Sequence, residues 1–458
     1  MVQSEITNEV KQHVASNFPR FLETLKALAR IPGIAWEAFD AADLEKSAGA
    51  VADLLAALDI FDSIEIKRAK NGNQTGAPAV LAKRVAKKSA PTILLYAHHD
   101  VQPPGEAAEW LSNPFEPVER EGRLFGRGAA DDKAGIVAHL AALETLKIIA
   151  GDNFDLGLCV FVEGEEEAGS PTFRNFLEEN QSALEADVII VADSGNWSLD
   201  TPALTTTLRG LVSQVIEVKT LDHALHSGMY GGAVPDAMMA MIKLLATLHD
   251  EQGNVAVAGL HATTATQLEY SDSDLRRDAG LLANPIGDGT ILERIWAKPA
   301  ITVIGIDGQT VALSSNTMLP SVKAKISLRI APGQEPDSAL QALRNHLEKY
   351  LPFGAELKYG DIELGKPFAS DNSGWAKSMY QEALSTAWEN ESVDIGIGGS
   401  IPFIADLTEV FPKAQILVTG VEDPDSRAHS PNESVHLASL ERAMVAEALF
   451  LLAGNAKS

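Results

Sequence analysis

Histidines and carboxylates in this chain collect at the ends of short apolar runs. YAHHDVQP puts His98, His99 and Asp100 after the run TILLYA, and EGEEEAGS puts Glu163, Glu165, Glu166 and Glu167 after LCVFV. Asp193 follows VIIVA, and GRGAADDKAG carries Asp131 and Asp132 just ahead of a helical stretch. Any one such residue is ordinarily a turn or capping residue. Several of them in one domain point to convergence, because ligands of α/β sheets gather beyond the carboxyl ends of the strands. Carboxylates confined together either raise one another's pKa and protonate or surround a cation. Imidazoles among them favour zinc or a similar first-row metal over magnesium or calcium, which prefer oxygen alone. A bridging carboxylate with two donors on each side gives a two-ion hydrolytic centre, with the ions about 3.5–4 Å apart.

The elements that must position these groups follow from apolar periodicity. Phe21, Leu22, Leu25, Leu28 and Ala29 share a helical face that ends near Pro32. Thr92 to Ala97, Leu158 to Val162, Val188 to Ala192 and Ile416 to Thr419 are buried-strand runs. A helix with Ile136, Leu140, Leu143 and Leu146 on one face lies between the first two. Strands thus alternate with helices, as in an α/β sheet covered on both faces. The middle of the chain differs. A strand over Val212 to Val218 leads to a helix opening at Pro235 with Met238, Met239, Ile242, Leu245 and Ala246. ITVIGI, an alternating strand from Val322 to Ile330, a helix with Leu340, Leu343 and Leu347, and a strand near Leu357 complete β-α-β-β-α-β, the ferredoxin-like order. This places an inserted α+β domain at residues 207–365 and a discontinuous α/β domain at 1–206 and 366–458. The stretch from about 250 to 300, including YSDSDLRRDAG, fits neither pattern and is expected to be an insertion within the smaller domain.

At 458 residues, two domains are a better expectation than one. A hydrophobic content of 45% with no long Pro/Gly/Ser-rich stretch is that of an ordinary globular protein. The formal charge of −26 would be repelled by phosphate backbones and anionic membranes, so nucleic-acid and membrane partners are not expected. The only cysteine, Cys159, lies inside LGLCVFV and is read as a buried, inert thiol. The first residues lack the basic start and apolar stretch of a secretory signal, and a cytoplasmic location is expected.

YAHHDVQP, GRGAADDKAG, EGEEEAGS, Asp193, DHALHSGMYGG, GGSIP and RAHSPNE, in this order, resemble the signature of the M20 metallopeptidase family, and within it the carnosinase-type dipeptidases. The likeness runs from about residue 90 to 435. It implies a zinc-peptidase-like α/β catalytic domain interrupted by a ferredoxin-like α+β lid that also forms a homodimer contact. It implies two divalent ions per chain, zinc foremost, with manganese or cobalt as alternatives. Asp131 would bridge them, His98 and Asp193 would hold one, and Glu167 and His429 the other. Alone, His429 in its Ser, Pro and Asn loop reads as a solvated histidine. Asp100 would orient His98, and the Asp131–Asp132 peptide would be cis. Glu166 would be the general base, while Glu163 and Glu165 are read as solvated or supporting acids. His226 would stabilise the oxyanion in the partner's site; alone it reads as a loop histidine. Arg329 would grip a substrate carboxylate, against a structural salt bridge as the plain alternative, and Thr317 and Ser400 would add substrate contacts. In one departure, carnosinase-type enzymes read Arg-Glu-Gly-Gly-Ser where this chain has Gly396-Ile397-Gly398-Gly399-Ser400.

The activity implied is hydrolysis of an amide bond in a dipeptide or similar small substrate bearing a free carboxylate. An N-acyl amino acid deacylase, of the succinyl-diaminopimelate desuccinylase kind, or a carbamoyl hydrolase shares the same chemistry. A catalytically inactive metal-binding protein would show a broken ligand set or a missing base, and neither is visible.

Overall fold

The computed structural model describes residues 2–370, 373–399 and 401–457. Ser400 lies outside the described residues. The chain divides into two compact units, one of residues 1–206, 370–395 and 406–458, the other of residues 207–369 and 396–405.

The first unit is built on a mixed sheet. Gly157–Glu163, Thr92–His98, Val188–Val191 and Gln415–Val418 run parallel in that spatial order. Ala79–Arg84 and then Ser63–Lys67 add antiparallel strands beside Gly157–Glu163. The parallel strands are almost wholly buried, which explains their unbroken apolar runs. Helix Lys133–Ala150 packs against Val2–Ala29 and Leu437–Asn455. Phe21, Leu22, Leu25, Leu28, Ile136, Leu140, Leu143 and Leu146 all enter this core. Lys133 is buried and donates from Nζ to Leu28 O at 3.0 Å and Ile31 O at 2.6 Å, satisfying carbonyls at the end of the first helix. No helix of the described residues is long and apolar enough to cross a membrane.

The second unit holds an antiparallel sheet ordered Ala300–Ile306, Ser321–Ile330, Gly210–Lys219, Glu356–Gly365. With helices Ala237–Ala246 and Pro336–Tyr350 this is the ferredoxin-like arrangement. Ser321–Ile330 alternates as expected, with Val322, Ala324, Ile326, Leu328 and Ile330 buried. On helix Ala237–Ala246, Met238 and Leu245 of the expected apolar residues pack partly buried against the core, but the fully buried row is another. Ala237, Ala240, Met241 and Leu244 are buried, whereas Met239 and Ile242 are exposed. The cap is Asp236, whose carboxylate accepts the Met239 N–H at 2.9 Å. Small alanines let the helix approach the sheet beside Met241 and Leu244, while Met239 and Ile242 are left outside. The 250–300 stretch contributes a short helix, Asp272–Ala279, with a Ser271/Asp274 capping box, and a π-helical turn, Glu293–Ala297.

Candidate metal centre

Parallel register brings the first donors level. His98 is the register partner of Glu163, and Tyr96 that of Val191, so Asp193 follows two residues beyond a strand already aligned with its neighbour. His98, Asp131 and Asp193 present ligand atoms within 4.8 Å of one another, as do Asp131, Glu167 and His429. Asp131 belongs to both groups. His98 Nε2 is 3.0 Å from Asp131 Oδ1, and His429 Nε2 is 3.0 Å from Asp131 Oδ2 and 3.1 Å from Glu167 Oε2.

The surroundings orient these groups. His98 Nδ1 lies 3.2 Å from the carbonyl of Asp100 and 3.4 Å from its carboxylate. The same carboxylate accepts the amides of Glu166 and Glu167 at 3.2 and 3.1 Å, so Asp100 ties the histidine loop to the glutamate loop. Gln102 donates its amide N–H to Glu167 Oε1 at 3.1 Å and Nε2–H to Oε2 at 2.8 Å. Glu433 is buried and accepts from the amides of Gly128, Ala130 and Asp131 at 3.0, 2.9 and 3.1 Å and from Arg127 Nη1 at 2.7 Å. The Asp131–Asp132 peptide is cis.

Glu433 and Gln102 act on backbone and ligand atoms without any periodic signature. Their only sequence signal is position, inside the RAHSPNE and YAHHDVQP segments. Glu163 and Glu165 are not solvated. Glu163 accepts from Tyr96 Oη at 2.5 Å and from Ser170 Oγ at 3.2 Å, and Glu165 accepts from Thr172 and the Ala77 amide. Both brace the loop that carries Glu166 and Glu167. His99 is buried and turned away, with Nε2 2.7 Å from Pro78 O. Burial pushes the Cys159 thiol up to about 12, consistent with an inert core residue.

Electrostatics test whether the cluster suits cations. Asp193 is pushed up to about 7 by burial and by the nearby Asp131 charge, and burial with Asp193 raises Glu166 well above its ordinary value. Burial would also raise Asp131, yet hydrogen bonds from His429 and His98 hold it below the carboxylate range. His429, bonded to Asp131 and Glu167, is raised to about 11. Positive charge, as protons or metal ions, is what the geometry requires at both places. Mixed imidazole and carboxylate donors in two groups with a common aspartate fit two divalent ions.

Residues 94–453 match the model of peptidase family M20/M25/M40. The chain belongs to this family. Cysteinylglycine-S-conjugate dipeptidase of Corynebacterium striatum is 35% identical over 383 residues, covering 82% of this chain and 84% of that protein. Human Beta-Ala-His dipeptidase is 26% identical over 376 residues, covering 78% and 74%. Among solved structures, the di-peptidase Dug1p of Saccharomyces cerevisiae superposes with a TM-score of 0.78 at 22% identity, covering all of both chains, which shows the common fold. As a member of the M20 family the protein is a metal-dependent hydrolase.

In the second unit, His226 and Thr317 face each other in a short antiparallel ladder. The Gly228 N–H donates to His226 Nδ1 at 3.0 Å, which leaves the proton on Nε2 and makes that nitrogen a donor. Arg329 lies on Ser321–Ile330, on the face opposite the buried row, paired with Leu211 and Ala300.

Proposed function

We propose that the protein is a dinuclear zinc dipeptidase, cleaving the amide bond of small substrates that carry a free carboxylate. The observation that carries this reading is the pair of donor groups joined at Asp131. His98 and Asp193 would hold one ion, Glu167 and His429 the other, and Asp131 both, while Asp100 fixes the His98 ring. When bound, the two ions supply Lewis acidity, polarising a carbonyl and acidifying water. Glu166 takes the proton of the attacking water and returns it to the departing amide nitrogen.

His226, a donor at Nε2, would stabilise the oxyanion; Arg329 would pair with the substrate carboxylate, with Thr317 and Ser400 as further contacts. The second unit would serve as lid and homodimer contact. Support for that comes from its edge strand, Ala300–Ile306, which exposes Val303, Ile304 and Ile306, and from the exposed Met239 and Ile242. The dipeptidase names of the relatives support the substrate class.

Metal analysis of the purified protein is expected to give two ions per chain, with hydrolysis abolished by chelation and restored by zinc. A panel of dipeptides and N-acyl amino acids, each with zinc, manganese or cobalt, identifies substrate and metal. One ion per chain at full activity would refute the dinuclear centre.

A further inference from the structure

Arg209, immediately ahead of the strand Gly210–Lys219, is only 9% exposed. Its Nε donates to Gly398 O at 3.0 Å, and Nη1 donates to Arg294 O and Lys298 O, each at 3.3 Å. Its backbone N–H donates to Ile397 O at 3.2 Å. Among the described residues no carboxylate pairs with it. A buried guanidinium without an acid is costly, and here every one of these bonds goes to main chain in two segments, 293–298 and 396–399. The planar fork of an arginine can tie two segments in a way a lysine ammonium cannot.

The two segments close tightly around it. A Cβ on Gly398 would lie 2.8 Å from Arg209 Nη2 and 2.8 Å from Ile295 O. A Cβ on Gly396 would lie 2.7 Å from Thr207 Oγ1 and 2.8 Å from Trp296 Cβ. The glycine turn is therefore gripped by the start of a sheet strand on one side and by the π-helical turn Glu293–Ala297 on the other. No larger residue fits at 396 on this backbone, which accounts for the glycine at the departure point. Arg329 pairs in register with Leu211, two residues beyond Arg209, and the two guanidinium charges repel.

We infer that Arg209 is a positioning residue for substrate binding: it clamps the Gly396–Gly399 turn, which leads into Ser400, and places a second positive charge beside Arg329, favouring substrates with a free carboxylate. This rests on the dipeptidase reading. The test compares kcat and KM for a dipeptide and its C-terminal amide in zinc-loaded wild type, Arg209→Gln, Arg209→Lys and Gly398→Ala, with metal content measured for each. In Arg209→Gln, KM for the acid is expected to rise about 10-fold or more with kcat within about 2-fold, and the preference for acid over amide to shrink. Arg209→Lys keeps the charge and should recover the preference more than the KM. Gly398→Ala, which displaces the turn with the charge intact, should raise KM for acid and amide alike. A folded Arg209→Gln with wild-type KM and preference overturns the inference, as does an equal loss of kcat on both substrates. Should Arg209→Gln fail to fold, unchanged KM in both other variants overturns it. Wild type that hydrolyses no dipeptide overturns the dipeptidase reading and this inference with it, whereas active wild type with unaffected variants removes the inference alone.

Discussion

Glu433 Oε1 accepts the amide N–H of Asp131 at 3.1 Å, so the aspartate common to both donor groups hangs from a buried carboxyl group. Burial raises that carboxyl, while Arg127 and the amides of Ala130 and Asp131 pull it back down. Glu433→Gln would turn an N–H donor toward these donors. Metal affinity is expected to fall about 10- to 100-fold, the scale for groups that support ligands, as read by competition with a chromophoric chelator. Unchanged affinity would mean that the loop holds Asp131 without Glu433.

Glu166 follows Glu165 at the start of a short 3-10 turn, with its amide held by Asp100, and is in neither donor group. Glu166→Gln should therefore keep two ions per chain and lower turnover by at least about 100-fold, the usual range for a general acid or base. Loss of one ion in this variant would reassign Glu166 as a ligand.

His226 is exposed and fixed as a donor by Gly228, opposite Thr317. If it serves the partner's site in a homodimer, mixing His226→Ala with Glu166→Gln chains should restore activity, because one site of the hybrid has both groups. Subunit exchange is verified by mass-tagged chains. Exchange without recovery would show that His226 acts in its own chain or has no part in turnover.

His99 contributes to acid sensitivity. Burial lowers it from 6.5 to about 4, its Nε2–H donates to Pro78 O at 2.7 Å, and Nδ1 has no hydrogen-bond partner among the described residues. An unfolded chain binds this proton near 6.5 and the folded chain only near 4, so stability is full above 6.5 and is lost as pH falls toward 4. The difference amounts to roughly 3 kcal/mol at most. Urea unfolding with chelator present should show wild type losing more stability than His99→Gln between these limits. Parallel pH profiles would assign the acid sensitivity to other groups.

The strand-end donors were legible because apolar runs end where the chemistry begins, as at His98 and Glu163, and because Val322 to Ile330 alternates without interruption. On the helix around Met239 only part of the apolar pattern meets the core, for a physical reason. Alanines 237 and 240 carry little hydrophobic weight in a pattern, yet they form the close contact, and the bulky Met239 and Ile242 stay outside. Glu433, Gln102 and Arg209 escaped because each acts mostly on atoms of distant main chain or on a ligand far along the chain. Such bonds leave no spacing to read.

The level register of His98 and Glu163 also limits how this chain can change in length. A strand advances about 3.3 Å per residue, so one inserted residue would move a donor by most of the 4.8 Å that spans each group. Length variation is expected to be excluded from these strands and to accumulate where nothing is held in step, as around the exposed helix Asp272–Ala279 of the second unit.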